Sequence, residues 1–205
     1  MPDIPDSARR HLVRIRIERF YEDVNALAGS LRGGKITLGM WEEEMKLLIR
    51  QLHTGAATIA KGDWDLMTSS EWGKLGPILK EQYGYLHRFA QDILANAQDI
   101  SETKIAWRAR LYGDKAAFSA NVIEAGDFAA LLPYMPKDGS TICLNNCLCV
   151  WTMSEGEAMD GLKMITAKWT LSAAEHCNTC IGRDGFIVQA SVPAEWKVPE
   201  VIGRF

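Results

Sequence analysis

The segment TICLNNCLCVW places Cys143, Cys147 and Cys149 within seven positions, and AEHCNTCIG then supplies His176, Cys177 and Cys180. Thiolate and imidazole are ligands that zinc takes, four to an ion, in tetrahedral geometry. Cys177 and Cys180 enclose two residues, and a Cys-x-x-Cys turn can aim two sulfurs at one ion. The complementary pair must come from the first segment. On a strand Cys147 and Cys149 point to the same side, while Cys143 sits in the turn before them. Both Cys143 with Cys147 and Cys147 with Cys149 therefore fit. His176 ranks behind the thiols, because adjacent residues rarely both reach one ion. The expected site is Cys143, Cys147, Cys177 and Cys180, with Cys149 and His176 as alternates.

Four cysteines would close the coordination sphere and leave no position for water, so the zinc would be structural and the protein no enzyme. Two competing readings are buried thiols that fill a core and a redox pair. The redox reading lacks the βαβ context in which Cys-x-x-Cys acts. A zinc deaminase would need His-x-Glu, which none of the four histidines begins. Elsewhere Ser101-x-x-Lys104 fits a helix cap better than an acyl-serine enzyme, whose companion motifs are absent. Glu42, Glu43 and Glu44 read as a solvated helix start, and His53 and His87 sit singly on helices. Five arginines between residues 9 and 19 suit an exposed helix face, an acidic partner or nucleic acid.

The elements that must position these cysteines have two grammars. Residues 7 to 125 read as successive amphipathic helices. Val13, Ile17, Phe20, Val24, Leu27 and Leu31 share one face of the first, which stops at the paired glycines after Arg32. The next three starts repeat one device, an apolar residue, a hydroxyl cap and an apolar residue four positions later: Ile36-Thr37 with Trp41, Met67-Thr68 with Trp72, and Ile100-Ser101 with Ile105. Thr68-x-x-Glu71 adds a capping box. Trp41, Met45, Leu48, Leu52 and Ile59 face inward on the second helix. Leu75, Leu79, Leu86, Phe89 and Ile93 do so on the third, where Gly76-Pro77 predicts a kink or a restart. Ile105, Ala109, Tyr112 and Ala116 line the fourth.

After Asp127 prolines and an Asp-Gly pair mark a turn-rich entry. CLCVWTM, GLKMITAKWTL and GFIVQASV then read as three strands separated by SEGEAMD and CNTCIGRD. The expected fold class is α+β: a mainly helical bundle over residues 1–126, then a small antiparallel β module over 127–205 with a Cys-rich zinc-type site. A sheet that small has little core of its own and profits from a metal staple.

The chain has 205 residues, of which 47% are hydrophobic and 24% charged, with a net charge of −3. Its pI is near 5.8. No global field attracts nucleic acid or anionic membrane. No stretch approaches the ~20 apolar residues of a membrane span, and the start has no signal-like apolar run, so a cytoplasmic product with reduced thiols is expected.

The segments GKITLGMWEEEMKLLIRQLHTGAATIAKG, MTSSEWGKLGPILKEQYGYLHRFAQDIL and IAWRARLYGDKAAF, with LPYMPKDGSTICLNNCLCVW and KWTLSAAEHCNTC, resemble bacteriophage head-morphogenesis or minor head proteins, which are encoded near the portal gene. In such relatives the cysteine segments occur in either order, so the resemblance carries ligands to Cys177 and Cys180 and leaves the choice among Cys143, Cys147 and Cys149 open. It implies a virion or assembly protein without catalytic activity. Its partners would be portal, capsid or scaffold proteins and further copies of itself, in the host cytoplasm during assembly or in the virion. The alternative is a zinc-ribbon nucleic-acid-binding regulator. Against it, residues 140 to 180 hold only two basic residues, Lys163 and Lys168, where a binder wants a basic stripe.

Overall fold

The structure is a computed structural model that describes residues 4–144, 147–203 and 205. Four helices come first: α1 (Asp6–Arg32), α2 (Leu38–Lys61), α3 (Ser69–Ala95) and α4 (Glu102–Ala125). A 3-10 turn (Gly126–Ala130) follows, then β1 (Val150–Met159), β2 (Leu162–Thr170), the short helix α5 (Asn178–Arg183), β3 (Ile187–Pro193) and β4 (Val201–Ile202). Among the described residues no helix is long and apolar enough to cross a membrane.

The chain forms two compact units, Met1–Ala120 and Asn121–Phe205. The division falls inside the end of α4, ahead of the expected 126/127 boundary, and the hydrogen bonds give the reason. Asn121 Oδ1 accepts from the backbone N–H of Phe205 at 3.1 Å, and Glu124 accepts from that of Gly203 at 3.3 Å. The last residues of α4 thus serve the backbone of the second unit's C-terminus.

In the first unit the hydroxyl caps form as their sequence predicts. Thr37 accepts from the backbone N–H of Met40, Thr68 closes a full capping box with Glu71, and Ser101 accepts from Lys104. Glu71 also takes an ion pair of 2.6 Å from Lys61. Burial raises its pKa, but Lys61 and the Thr68 donors outweigh that and hold its carboxyl below the ordinary value. α3 does not restart at Pro77, and the helix runs unbroken. The amide that Pro77 lacks would have bonded the carbonyl of Gly73, an exposed residue whose carbonyl water can serve instead. The core gathers Trp41, Met45, Ile49 and Leu52 from α2 with Leu75, Leu86 and Phe89 from α3, all nearly inaccessible. Trp41 meets Phe89 edge to face at 5.4 Å. Each such side chain contributes roughly 2 to 3 kcal/mol by leaving water. Ala56, Ala57, Ala109, Ala116 and Ala120 are also buried, and small residues let helix backbones approach closely.

The second unit carries a four-stranded antiparallel sheet in the order β3-β2-β1-β4, one strand more than its sequence predicts. β1 and β2 form a hairpin closed by Asp160 and Gly161, both at positive φ (53° and 76°), the conformation that Asp-Gly supplies to a two-residue hairpin turn. The register sets Trp151 opposite Trp169 and Ser154 opposite Thr166. SEGEAM is therefore strand and not linker. Its residues are exposed and poor strand formers, and the ladder with β2 holds them extended. Trp151 and Trp169 are fully buried, 5.3 Å apart and edge to face. Tyr134 packs against both, at 5.3 and 5.1 Å, and its carbonyl accepts from the Trp151 indole N–H at 3.0 Å.

Candidate metal centre

The first cysteine segment runs into β1 and the second leads through α5 to β3, so the sheet delivers both to one place. Strand structure begins only at Val150, after the cysteines. Even so, Cys147 and Cys149 are buried with Leu148 exposed between them, as extended chain requires. Cys143 lies in a tight turn in which the backbone N–H of Leu144 bonds the Thr141 carbonyl at 2.9 Å. Leu144 takes a positive φ of 51° there. Asn145 and Asn146 lie outside the described residues. CNTCIGRD, read from sequence as a separator, is mostly helix: Cys177 caps α5 and Cys180 falls in its first turn.

Three sulfurs converge. Cys143, Cys147 and Cys180 place all their Sγ atoms within 4.8 Å of one another and could hold a metal ion. Cys143 and Cys147 each stand 3.7 Å from Cys180. Cys177 touches the group through Cys143, at 3.6 Å. All five cysteines are free thiols, and these separations are far beyond the ~2.05 Å of a disulfide. The two alternates meet each other, Cys149 Sγ lying 3.5 Å from His176 Nδ1, but the Cys149 thiol also reaches Cys180 and Cys147, while His176 Nε2 is 2.7 Å from the Ser172 carbonyl.

The electrostatics divide the thiols. Desolvation raises the pKa of Cys143 and, with neighbouring thiols adding to it, that of Cys180. Burial pushes Cys149 up to about 11. Cys177 goes the other way. The first turn of α5 closes no cap hydrogen bond onto it, yet the electropositive backbone N–H of Cys180, then that of Cys143, favours its thiolate and holds it down to about 6. Crowded sulfurs repel one another as thiolates, and a cation among them removes that repulsion.

Two supporting residues have no signature in the sequence. Thr141, buried, places its hydroxyl 3.2 Å from Cys143 Sγ. Arg183, at the end of α5, donates to the Ser140 hydroxyl at 3.0 Å and to its carbonyl at 3.3 Å. Its guanidinium lies 3.7 Å over the Tyr134 ring. Arg183 therefore ties the second cysteine segment to the residues just before Cys143. A lone arginine beyond a Cys-x-x-Cys says nothing of this until the chain is folded.

The other candidate groups have structural occupations. Ser101 is a cap. Glu42 and Glu43 pair with Lys46 on the surface, and His87 sits exposed, 3.2 Å from Glu42. His53 is buried, its Nδ1 2.7 Å from the Ser119 hydroxyl.

A helical unit is thus joined to a small antiparallel sheet bearing a cysteine cluster able to take a metal. Searches of protein-family models, curated proteins and solved structures find no match to this chain.

Proposed function

We propose that the cluster is a structural zinc site and that the protein is a non-enzymatic bacteriophage structural or assembly protein, a head-morphogenesis or minor head component acting beside the portal. The observation that carries the metal reading is the set of sulfur separations. At a zinc–sulfur distance of about 2.3 Å, the edges of a thiolate tetrahedron measure about 3.8 Å. The Cys143–Cys180, Cys147–Cys180 and Cys143–Cys177 separations are 3.7, 3.7 and 3.6 Å. On this reading Cys143, Cys147 and Cys180 are three of the ligands. Cys177 completes the set by moving in from its contact with Cys143, and Cys149, beside Cys180, Cys147 and His176, is the alternate. Four thiolates leave no coordination position for water, so zinc would supply rigidity and no chemistry. The phage context rests on the resemblance carried by the paired cysteine segments and the capped helices.

Metal analysis of the purified protein should find one zinc per chain, and Cys180→Ser should abolish it while Cys149→Ser keeps it. Zinc-free protein would overturn the metal reading; loss of zinc on Cys149→Ser with retention on Cys177→Ser would transfer the fourth position to Cys149. For the assembly role, the protein should be recovered with procapsids or heads. Its absence from both would overturn that role and leave the zinc site untouched.

A further inference from the structure

In the first unit a groove of about 680 Å³ lies between α1 and α2. Its floor is apolar, with Phe20 and Leu52 buried and Leu48 and Ile59 half-buried. Arg16 and Arg19, both exposed, line the α1 side. Among the described residues neither guanidinium has a carboxylate partner. Among these residues Arg16 donates only one long hydrogen bond, 3.4 Å, to the Gln51 carbonyl, and Arg19 makes none.

Arg16 lies against α2. Gly55 of α2 lies directly beneath it, and a Cβ at that position would run into the guanidinium. A glycine in a helix interior weakens the helix, and here it leaves room for the Arg16 guanidinium to lie against α2. Departures from local preference of this kind concentrate at functional sites.

We propose that this groove docks an acidic, apolar segment of a partner polypeptide, with a carboxylate taken by Arg16 and Arg19. A planar guanidinium matches a carboxylate with paired hydrogen bonds. The apolar floor accepts the body of the segment. Leu48 to Ile59 covers about 16 Å along α2 at 1.5 Å per residue, the length of several residues of peptide. A nucleic acid fits less well, because its charged backbone offers no aliphatic body to the floor of Phe20, Leu48, Leu52 and Ile59. The inference is independent of the metal centre.

The test is fluorescence anisotropy with the full chain and three labelled probes: an amphipathic leucine–glutamate peptide, the same peptide with glutamine for glutamate, and a single-stranded DNA oligonucleotide. The glutamate peptide should bind saturably, and the glutamine peptide about tenfold more weakly, the factor expected when a charge-assisted hydrogen bond is lost. Arg16→Gln and Arg19→Gln should each weaken the glutamate peptide about tenfold and leave the glutamine peptide unchanged. Gly55→Ala, which displaces the Arg16 guanidinium and keeps its charge, should weaken it as well, by less than the arginine variants. Circular dichroism establishes that the variants keep their helices. Equal binding of the two peptides, indifference to the arginine variants, no saturable binding, or tighter binding of the oligonucleotide through the same arginines would each overturn the proposal.

Discussion

The two units reach order by different means. In the first, four long helices bury aliphatic and aromatic faces from well-separated parts of the sequence, and the starts of α2, α3 and α4 are each fixed by their own hydroxyl. In the second, four strands, one of them two residues long, enclose a core centred on Trp151, Trp169 and Tyr134. Phe128, Leu132, Ile165, Val192 and Ile202 are buried in this unit as well, with the sulfurs of Cys147, Cys149 and Cys180. Small sheets bury too little apolar surface to offset the entropy of ordering the chain, and cross-links or metals make up the difference. A long-helix unit does not need one.

The sharpest way to break this contrast is to disable the proposed staple. Chelation, or Cys180→Ser, should remove the near-UV dichroism of Trp151 and Trp169 while the far-UV helical signal persists. The expected cost is several kcal/mol, confined to the second unit. If near-UV signal and melting stay unchanged, the second unit stands on its aromatic core alone and the contrast fails. Next in size, Trp169→Ala should cost about 3 to 5 kcal/mol, as should Trp41→Ala in the first unit. Denaturant titration should show the smaller unit losing its own transition outright, whereas the helical unit retains a shifted one.

A pH dependence belongs to the first unit. Burial, with Lys115 adding to it against the opposing pull of the Tyr112 carbonyl, holds His53 down to about 4 from an ordinary 6.5. The unfolded chain therefore binds a proton between those values that the folded unit refuses. Stability present above pH ~6.5 is lost as pH falls toward 4, by at most about 3 kcal/mol. Helical melting followed across that window should show the slope, and His53→Gln should flatten it; an equal slope in the variant would assign the dependence to other groups. The smallest effect is at a cap. Thr68→Ala should lower the stability of the first unit by about 1 kcal/mol, with no change in metal content.

Local chemistry explains which parts of the fold were legible. The caps at Thr37, Thr68 and Ser101 need only a hydroxyl and its own following turn. The inward faces need only the helical period, although Ala56, Ala57 and Ala60 are buried too, and small residues give a weak pattern. Where the sequence reading failed, a partner strand or a neighbouring turn made the choice. SEGEAM is extended because β2 pairs with it, and VI at Val201–Ile202 is a strand only because Trp151 and Thr152 offer it an edge.

The cysteine centre divides in the same way. Residue type and the spacing of Cys177 and Cys180 were enough to mark a constellation that could hold a metal and to leave Cys143, Cys147 and Cys149 as candidates for the rest. Only folding brings Cys143, Cys147 and Cys180 within 4.8 Å of one another and turns Cys149 toward His176. Spacing along a chain constrains neighbours within a turn or a strand. Convergence of segments more than 30 residues apart depends on the sheet register and on the Arg183 tie, which exist only in three dimensions.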